Sequence, residues 1–127
     1  MYKIKVSSSF SAAHFLRAYK GKCENLHGHN WKVEVLVSSD KLNACGMVMD
    51  FNDLKKMLNY VLEKLDHKHL NELSYFLKVN PSSEEIARYI FNELKQPIIE
   101  SKCILVEIRV WETEGSCAIY SSSPSTK

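Results

Sequence analysis

Two histidines, His27 and His29, lie two residues apart in the segment Cys23-Glu-Asn-Leu-His-Gly-His29, and His14 precedes them. If the pair lies on a β-strand, both side chains point to the same face, because successive side chains alternate. The two imidazoles can then bind one metal ion, and His14 could supply a third. Three neutral imidazoles around Zn²⁺ leave one tetrahedral position open, which is typical of catalytic rather than structural zinc.

Cys23, four residues before the histidine pair, is a candidate base or nucleophile beside that metal. A nearby cation would favour its thiolate form. Two alternatives stay open from the residues alone. Cys23 could be a small thiol of the core, or it could join His27, His29 and a fourth ligand in a closed, inert structural site.

Two further groups could do chemistry. Asp66 directly precedes His67, and a carboxylate can hold an imidazole in one tautomer so that the imidazole moves protons. The alternative is a helix C-terminus, where Lys68 and His69 would suit the helix dipole. Glu112 is predicted to end an apolar strand face, where its two oxygens could bind a flat ring that offers two N–H donors. The alternative for Glu112 is a solvated strand end.

Three segments alternate apolar and polar residues and are predicted to be strands. They span residues 3–14, 29–38 and 103–112. The first carries His14 at the end of its apolar face, and the second begins with the histidine pair on the face that it buries. The predicted inward-facing residues of the third are Ile104, Val106, Ile108 and Val110, with Glu112 continuing the same parity. Polar groups at three strand ends can converge on one pocket.

Two helices are predicted between the second and third strands. Asp50 is a good N-cap, and residues 51–65 carry a helical apolar stripe. Pro81 and the capping box Ser82-x-x-Glu85 indicate the start of the second helix, and we expect it to end before Pro97.

A short fourth strand is predicted near residues 117–121, after the turn at Gly115. The order β-β-α-α-β-β predicts an α+β fold, an antiparallel β-sheet with two helices packed on one face. So small a sheet has two open edges, and open edges favour pairing with another chain. We therefore expect a homo-oligomer.

The composition is that of a soluble globular protein, with 127 residues, 45% hydrophobic and 25% charged residues. We expect one domain over residues 1–121 and a frayed tail over 122–127. The net charge of +2 gives no argument for nucleic acid as a partner. Neither a membrane-spanning apolar run nor a secretory signal is evident, so we expect a cytoplasmic protein with reduced thiols.

Six motifs, taken together, resemble the 6-pyruvoyltetrahydropterin synthase family, most closely its bacterial 6-carboxytetrahydropterin synthase branch of queuosine biosynthesis. In chain order they are Phe10-Ser-Ala-Ala-His14, Cys23-x3-His27-Gly-His29, Gly46-x-Val48-x-Asp50-Phe51, Leu65-Asp66-His67, Asn80-Pro81-x-Ser83-Glu84 and Glu112-Thr113. The resemblance implies the tunnelling fold, in which the sheets of β-β-α-α-β-β subunits join into a barrel. It also implies homotrimers, commonly stacked as homohexamers, with active sites between subunits.

The resemblance also assigns roles to residues. It implies that His14, His27 and His29 bind zinc and that Cys23 accepts a proton. It implies that Asp66 and His67 form a charge-relay pair, that Glu112 anchors a pterin ring, and that Ser82 and Ser83 lie near that ring. The implied substrate is 7,8-dihydroneopterin triphosphate, and the implied product is 6-carboxy-5,6,7,8-tetrahydropterin. A 6-pyruvoyltetrahydropterin synthase, a zinc-stabilised binding module and a plain pterin- or purine-binding protein stay as alternatives.

Overall fold

The computed structural model describes residues 1–21 and 24–122, and these form a five-stranded sheet and two α-helices. The strands are β1 (Tyr2–His14), β2 (His27–Ser39), β3 (Lys68–His69), β4 (Ile104–Thr113) and β5 (Ser116–Ser121). The helices are α1 (Phe51–Leu62) and α2 (Ser83–Glu100), and the strand order across the sheet is β3-β1-β2-β4-β5. The predicted α+β class and the order β-β-α-α-β-β are confirmed, with the two-residue β3 added. In the described ranges, no helix combines the length and apolarity needed to cross a membrane.

The two long strands β1 and β2 pair antiparallel along their whole length. Tyr2 lies opposite Ser39 at one end, and His14 lies opposite His27 at the other. Alternation places large apolar side chains on the face that the helices cover, and Phe10 stacks on Trp31 with ring centroids 5.1 Å apart. The histidines therefore stand at the end of a continuous apolar face.

Both helices begin where the sequence predicts. The Asp50 side chain accepts a hydrogen bond from the Asn52 N–H, and the Ser82 hydroxyl accepts one from the Glu85 N–H. Each cap satisfies a backbone donor that has no partner inside the helix. The apolar stripes are buried against the sheet, as amphipathic helices require. Their buried residues are Leu54, Leu58, Val61 and Leu62 in α1 and Ile86, Ala87, Ile90, Phe91, Leu94 and Ile98 in α2.

The sheet is mixed rather than wholly antiparallel. After α1 ends at Leu62, the chain turns, and Lys68 and His69 pair parallel to Ala12 and Ala13 of β1. Leu65 is fully buried even though it lies outside the helix. Leu65 lies at the spacing of the helical apolar stripe, so the predicted stripe extends to residue 65. The helix itself ends at Leu62, because Leu65 is buried from the turn that follows it.

The prediction that α2 ends before Pro97 is wrong, since the helix continues through Pro97 to Glu100. Proline lacks an N–H and so removes one hydrogen bond of the helix. Burial of Ile98 beyond it keeps the last turn on the apolar face, and the Ser101 N–H returns to the Pro97 carbonyl.

The predicted inward face of β4 is right at one end and wrong at the other. Ile108 and Val110 are buried, but Ile104 is exposed and Leu105 takes the inward position. The cause is a β-bulge: Val35 pairs with Ile108 while Val37 pairs with Leu105. One extra residue in β4 reverses the alternation beyond it.

Candidate active site

Three imidazoles meet where β1 ends and β2 begins. His14 and His27 are a cross-strand pair, and His29 lies two residues further along β2 on the same face. Ring centroids are 4.7 Å apart for His14 and His27, and 4.9 Å apart for His27 and His29. With Glu112, each residue offers one ligand atom, and the four atoms all lie within 4.8 Å of one another. The described residues thus contain a group that could hold a metal ion.

Two of the imidazoles are oriented by backbone carbonyls. The Nδ1 of His14 lies 2.7 Å from the Pro81 oxygen, and the Nδ1 of His27 lies 2.9 Å from the Asn25 oxygen. A carbonyl can only accept, so Nδ1 donates and Nε2 keeps its lone pair. A hydrogen bond from Nδ1 to a carbonyl fixes the ring and directs the Nε2 lone pair toward a metal ion. The buried Nε2 of His14 has no hydrogen-bond partner, which leaves it available as a ligand.

The surroundings favour uncharged imidazole at His14. The residue is only 2% exposed, and this burial lowers its pKa, with a further contribution from nearby His27. Trp31 forms an apolar floor, with its ring centroid 4.9 Å from that of His14 and 5.2 Å from that of His29. A neutral, partly desolvated imidazole is the form that binds metal.

Glu112 closes the fourth side of this cluster. Its Oε2 lies 3.2 Å from the Nε2 of His29 and 3.5 Å from the Nε2 of His14. Glu112 stands where the pairing between β4 and β5 shifts, between Trp111 and Thr113. Irregularities of this kind re-aim side chains beside active sites. The sequence predicted that Glu112 faces inward and can share a pocket with the histidines, but not that its carboxylate contacts them.

Asp66 and His67 are in direct contact on the turn between α1 and β3. The Nδ1 of His67 lies 3.0 Å from Asp66 Oδ2, and Asp66 Oδ1 accepts the Ser11 N–H at 2.8 Å. That backbone hydrogen bond, together with the one to His67, lowers the pKa of Asp66 and keeps it ionised. The His67 N–H donates to the Ser11 carbonyl, and the side chain is 82% exposed. The turn is therefore fixed to β1, while the imidazole is held by Asp66 and exposed to solvent.

An open cleft of about 550 Å³ is bordered by His67 and by one candidate metal ligand, His29. His67 and His69 line one side of it, and His29, Gly28 and Asn30 line the other. The structure thus places His67 on the same cleft as a candidate metal ligand. The catalytic roles of Asp66 and His67 stay predictions.

The other predicted site residues have different positions. Ser83 shares a cavity of about 170 Å³ with Glu112 and Cys117, which suits a contact with a ring held by Glu112. The oxygen of Ser82 caps α2 instead, at 3.2 Å from the Glu85 nitrogen. Cys23 lies outside the described residues, so its predicted role is carried forward as a prediction.

A pair of asparagines supports the site and was not predicted. The Asn71 side chain accepts the Phe15 N–H at 3.0 Å and donates to the Phe15 carbonyl at 2.9 Å. The Asn80 side chain makes the same two-way contact with the backbone of Arg17. Together they fix the chain that follows His14. The sequence signal next to Asn80 was Pro81, and it indicated the start of α2 rather than this contact.

Arg17 also contributes to this support. Its guanidinium donates to the carbonyls of Val79, Asn71 and Phe76. These three hydrogen bonds fix the chain after His14 to the segment before α2.

Comparison with known proteins identifies the family. A family model described as 6-pyruvoyl tetrahydropterin synthase matches residues 3–123. The chain belongs to this family. The predicted resemblance is thereby confirmed.

The similar relatives include proteins named 6-carboxy-5,6,7,8-tetrahydropterin synthase and proteins named 6-pyruvoyl tetrahydrobiopterin synthase. The 6-carboxy-5,6,7,8-tetrahydropterin synthase of Haemophilus influenzae is 35% identical, over 94% of this chain and 99% of that protein. The human 6-pyruvoyl tetrahydrobiopterin synthase is 37% identical, over 88% of this chain and 86% of that protein.

Among solved structures, the 6-pyruvoyl tetrahydropterin synthase of Caenorhabditis elegans has the same fold. It superposes with a TM-score of 0.84 at 31% identity and covers 96% of each chain. The similarity extends over the whole sheet and both helices, so the fold predicted from the motifs is confirmed.

Proposed function

We propose that the protein is a zinc-dependent lyase that converts 7,8-dihydroneopterin triphosphate to 6-carboxy-5,6,7,8-tetrahydropterin, acetaldehyde and triphosphate. The conversion takes up one water and needs no external oxidant, because the ring gains the two electrons that the side chain loses. The product would serve queuosine and other 7-deazapurine biosynthesis. Relatives named for the carboxy product support this choice.

The observation that carries the proposal is the arrangement of the three histidines. Their side chains converge from two paired strands, and carbonyls hold two of them with Nε2 free. An orphaned, buried Nε2 on His14 fits a metal that fills its missing contact. Nitrogen and oxygen ligands of this kind suit Zn²⁺. Bound there, zinc would act as a Lewis acid toward oxygens of the substrate side chain.

The protein's own groups would bind and orient the substrate. The Glu112 carboxylate can accept two N–H groups from the pterin edge, and the Ser83 hydroxyl lies on the same small cavity. Holding the ring there directs the side chain toward the histidines, and such positioning supplies a large share of catalysis.

Proton transfer would be divided between two groups. We assign Cys23 as the thiolate that takes a proton from a side-chain carbon, in line with the family motif that it matches. His67, held by Asp66 at 3.0 Å, would then move protons to or from substrate oxygens. Asp66 would hold the imidazole in one tautomer for that transfer.

Assembly is part of the proposal. Within residues 1–21 and 24–122, the outer edge of β1 is unpaired over most of its length, since β3 covers only Ala12 and Ala13, and β5 forms the other edge. Joining these edges between copies would give the homotrimer or homohexamer that the family implies. His67, exposed in one chain, would then face a site completed by a neighbour.

The deciding experiment is to incubate the zinc-loaded protein with 7,8-dihydroneopterin triphosphate and identify the products by mass spectrometry. We expect 6-carboxytetrahydropterin and acetaldehyde in equal amounts. Pyruvoyltetrahydropterin without acetaldehyde would instead indicate a 6-pyruvoyltetrahydropterin synthase, which some relatives are named for. No product from fully loaded protein would favour a zinc-stabilised binding module.

A second experiment tests the proposed proton acceptor. Cys23→Ala should abolish turnover while zinc content stays at the wild-type level. Exposed Cys45 provides the matched control, and Cys45→Ala should retain activity. Loss of zinc from Cys23→Ala would make the cysteine a ligand, and retained turnover would remove it from catalysis.

A further inference from the structure

The Glu112 carboxylate points at the histidines. One of its oxygens, Oε2, lies 3.2 Å from the Nε2 of His29 and 3.5 Å from the Nε2 of His14. A carboxylate that served only to bind a pterin ring would not need this position. In the described parts of the chain, these two imidazoles are the only basic side chains within 4.0 Å of the carboxylate.

These spacings are those of ligands that share one tetrahedral ion. With zinc–nitrogen and zinc–oxygen bonds of about 2.0–2.1 Å, adjacent ligand atoms stand about 3.3 Å apart. The two distances from Glu112 Oε2 lie on either side of that value. The carboxylate oxygen therefore stands where a fourth ligand belongs, next to His14 and His29.

We propose that Glu112 is the fourth metal ligand of the substrate-free protein, and that a bound pterin ring draws it off the metal. This inference rests on the proposed function for its pterin ligand. The metal site is closed at rest and opens only when a ring is present. Glu112 thus couples ring recognition to the availability of the fourth position.

The exchange has a physical basis in the carboxylate itself. A bidentate contact with two N–H groups needs both oxygens in the plane of the ring. An oxygen that binds the metal is directed toward the histidines instead, so the two contacts compete. The Glu112 side chain has room to move away from the histidines, since it is 34% exposed and borders the small cavity that Ser83 and Cys117 also line.

Competition for one carboxylate makes the two binding events antagonistic. A pterin ring without a side chain supplies no oxygen to replace the Glu112 carboxylate on the metal, so binding of the ring must weaken metal binding. By linkage, the bound metal must weaken binding of the ring by the same factor. The full substrate escapes this antagonism because its side-chain oxygens replace the lost carboxylate. The site would therefore discriminate in favour of pterins that carry an oxygenated side chain.

The first test compares zinc affinity in competition with a chelator, without any pterin. Glu112→Gln and Glu112→Ala should each bind zinc at least about tenfold more weakly than wild type, the smallest loss expected for a group that tunes a metal site. Exposed Glu114 lies two residues away and provides a charge-matched control. Glu114→Gln should stay within about twofold, because screening weakens distant charges. Equal zinc affinity in Glu112→Gln and Glu114→Gln would overturn the inference.

The second test uses unsubstituted pterin as a probe. It should bind metal-free wild type more tightly than zinc-loaded wild type, and it should change the visible absorption of Co²⁺-loaded wild type. Identical affinity with and without zinc, or an unchanged Co²⁺ spectrum at saturation, would overturn the opening step. Failure of pterin to bind either form would contradict the proposed function and the opening step. The zinc comparison would still decide whether Glu112 is a ligand.

Discussion

The Asn71 side chain is expected to contribute strongly to stability, because it satisfies two backbone groups at once. It is 5% exposed and bonds both the N–H and the carbonyl of Phe15. Each such bond is worth about 0.5–1.5 kcal/mol net, and buried groups left unpaired cost more. Asn71→Ala should therefore lower the free energy of unfolding by about 2 kcal/mol.

Asn80 provides a matched comparison, since its side chain makes the same pair of bonds with Arg17 but is only half-buried. Water can replace part of that contact, so Asn80→Ala should cost about 1 kcal/mol. Urea unfolding at one fixed protomer concentration measures both, because association shifts apparent stability. The difference corresponds to about 4 °C in Tm for a chain of this size.

A third variant separates the two bonds that Asn71 makes. Asn71→Asp keeps an acceptor for the Phe15 N–H but places an anionic oxygen against the Phe15 carbonyl. It should be at least as destabilising as Asn71→Ala at neutral pH, and less so as acid protonates the new carboxyl and restores a donor. Losses below about 0.5 kcal/mol in both alanine variants, or a larger loss from Asn80→Ala, would refute this account of burial and pairing.

Three other changes have defined outcomes. His27→Ala should lower zinc content and turnover together, and normal turnover without metal would contradict the metal assignment. The pKa of Asp66 lies below its ordinary value of 3.8. The ionised carboxylate therefore stabilises the folded protein above pH 3.8, and this contribution is lost as the pH falls through the lowered pKa of the folded state. Asp66→Asn should therefore remove this pH-dependent part of the free energy of unfolding. An acid-unfolding profile identical to that of wild type would show that Asp66 makes no such contribution. Pro97→Ala should restore a helix donor and raise stability by about 1 kcal/mol in thermal unfolding, whereas a loss would show that proline suits this turn.

Local sequence rules were enough for the parts of the site that lie on single elements. Alternation placed His27 and His29 on one face, and the caps at Asp50 and Ser82 located both helix starts. Those features depend on residues two to four positions apart. The sequence also predicted that strand ends converge, which brought Glu112 toward the histidines.

Features that depend on distant partners could not be predicted in the same way. The short strand β3 exists because Lys68 and His69 find a free stretch of β1, and no pattern in two residues shows this. The contact between Asn71 and Phe15 joins residues 56 positions apart. The atom-level approach of Glu112 to His29 depends on strand order and on an irregularity in pairing, and neither leaves a periodic signal.

The extra residue in β4 shows how this strand accommodates a change in its length. Leu105 and Val110 both face the helices, although an odd number of steps separates them. Deleting one residue between Leu105 and Ile108 would leave an even number of steps, and a regular ladder would then keep both ends of the strand on their present faces. An insertion or deletion between Val110 and Glu112 has no such compensation, and it would turn the Glu112 side chain to the opposite face of the sheet, away from the histidines. A one-residue change in length is therefore expected to be tolerated at the bulge and not beside Glu112.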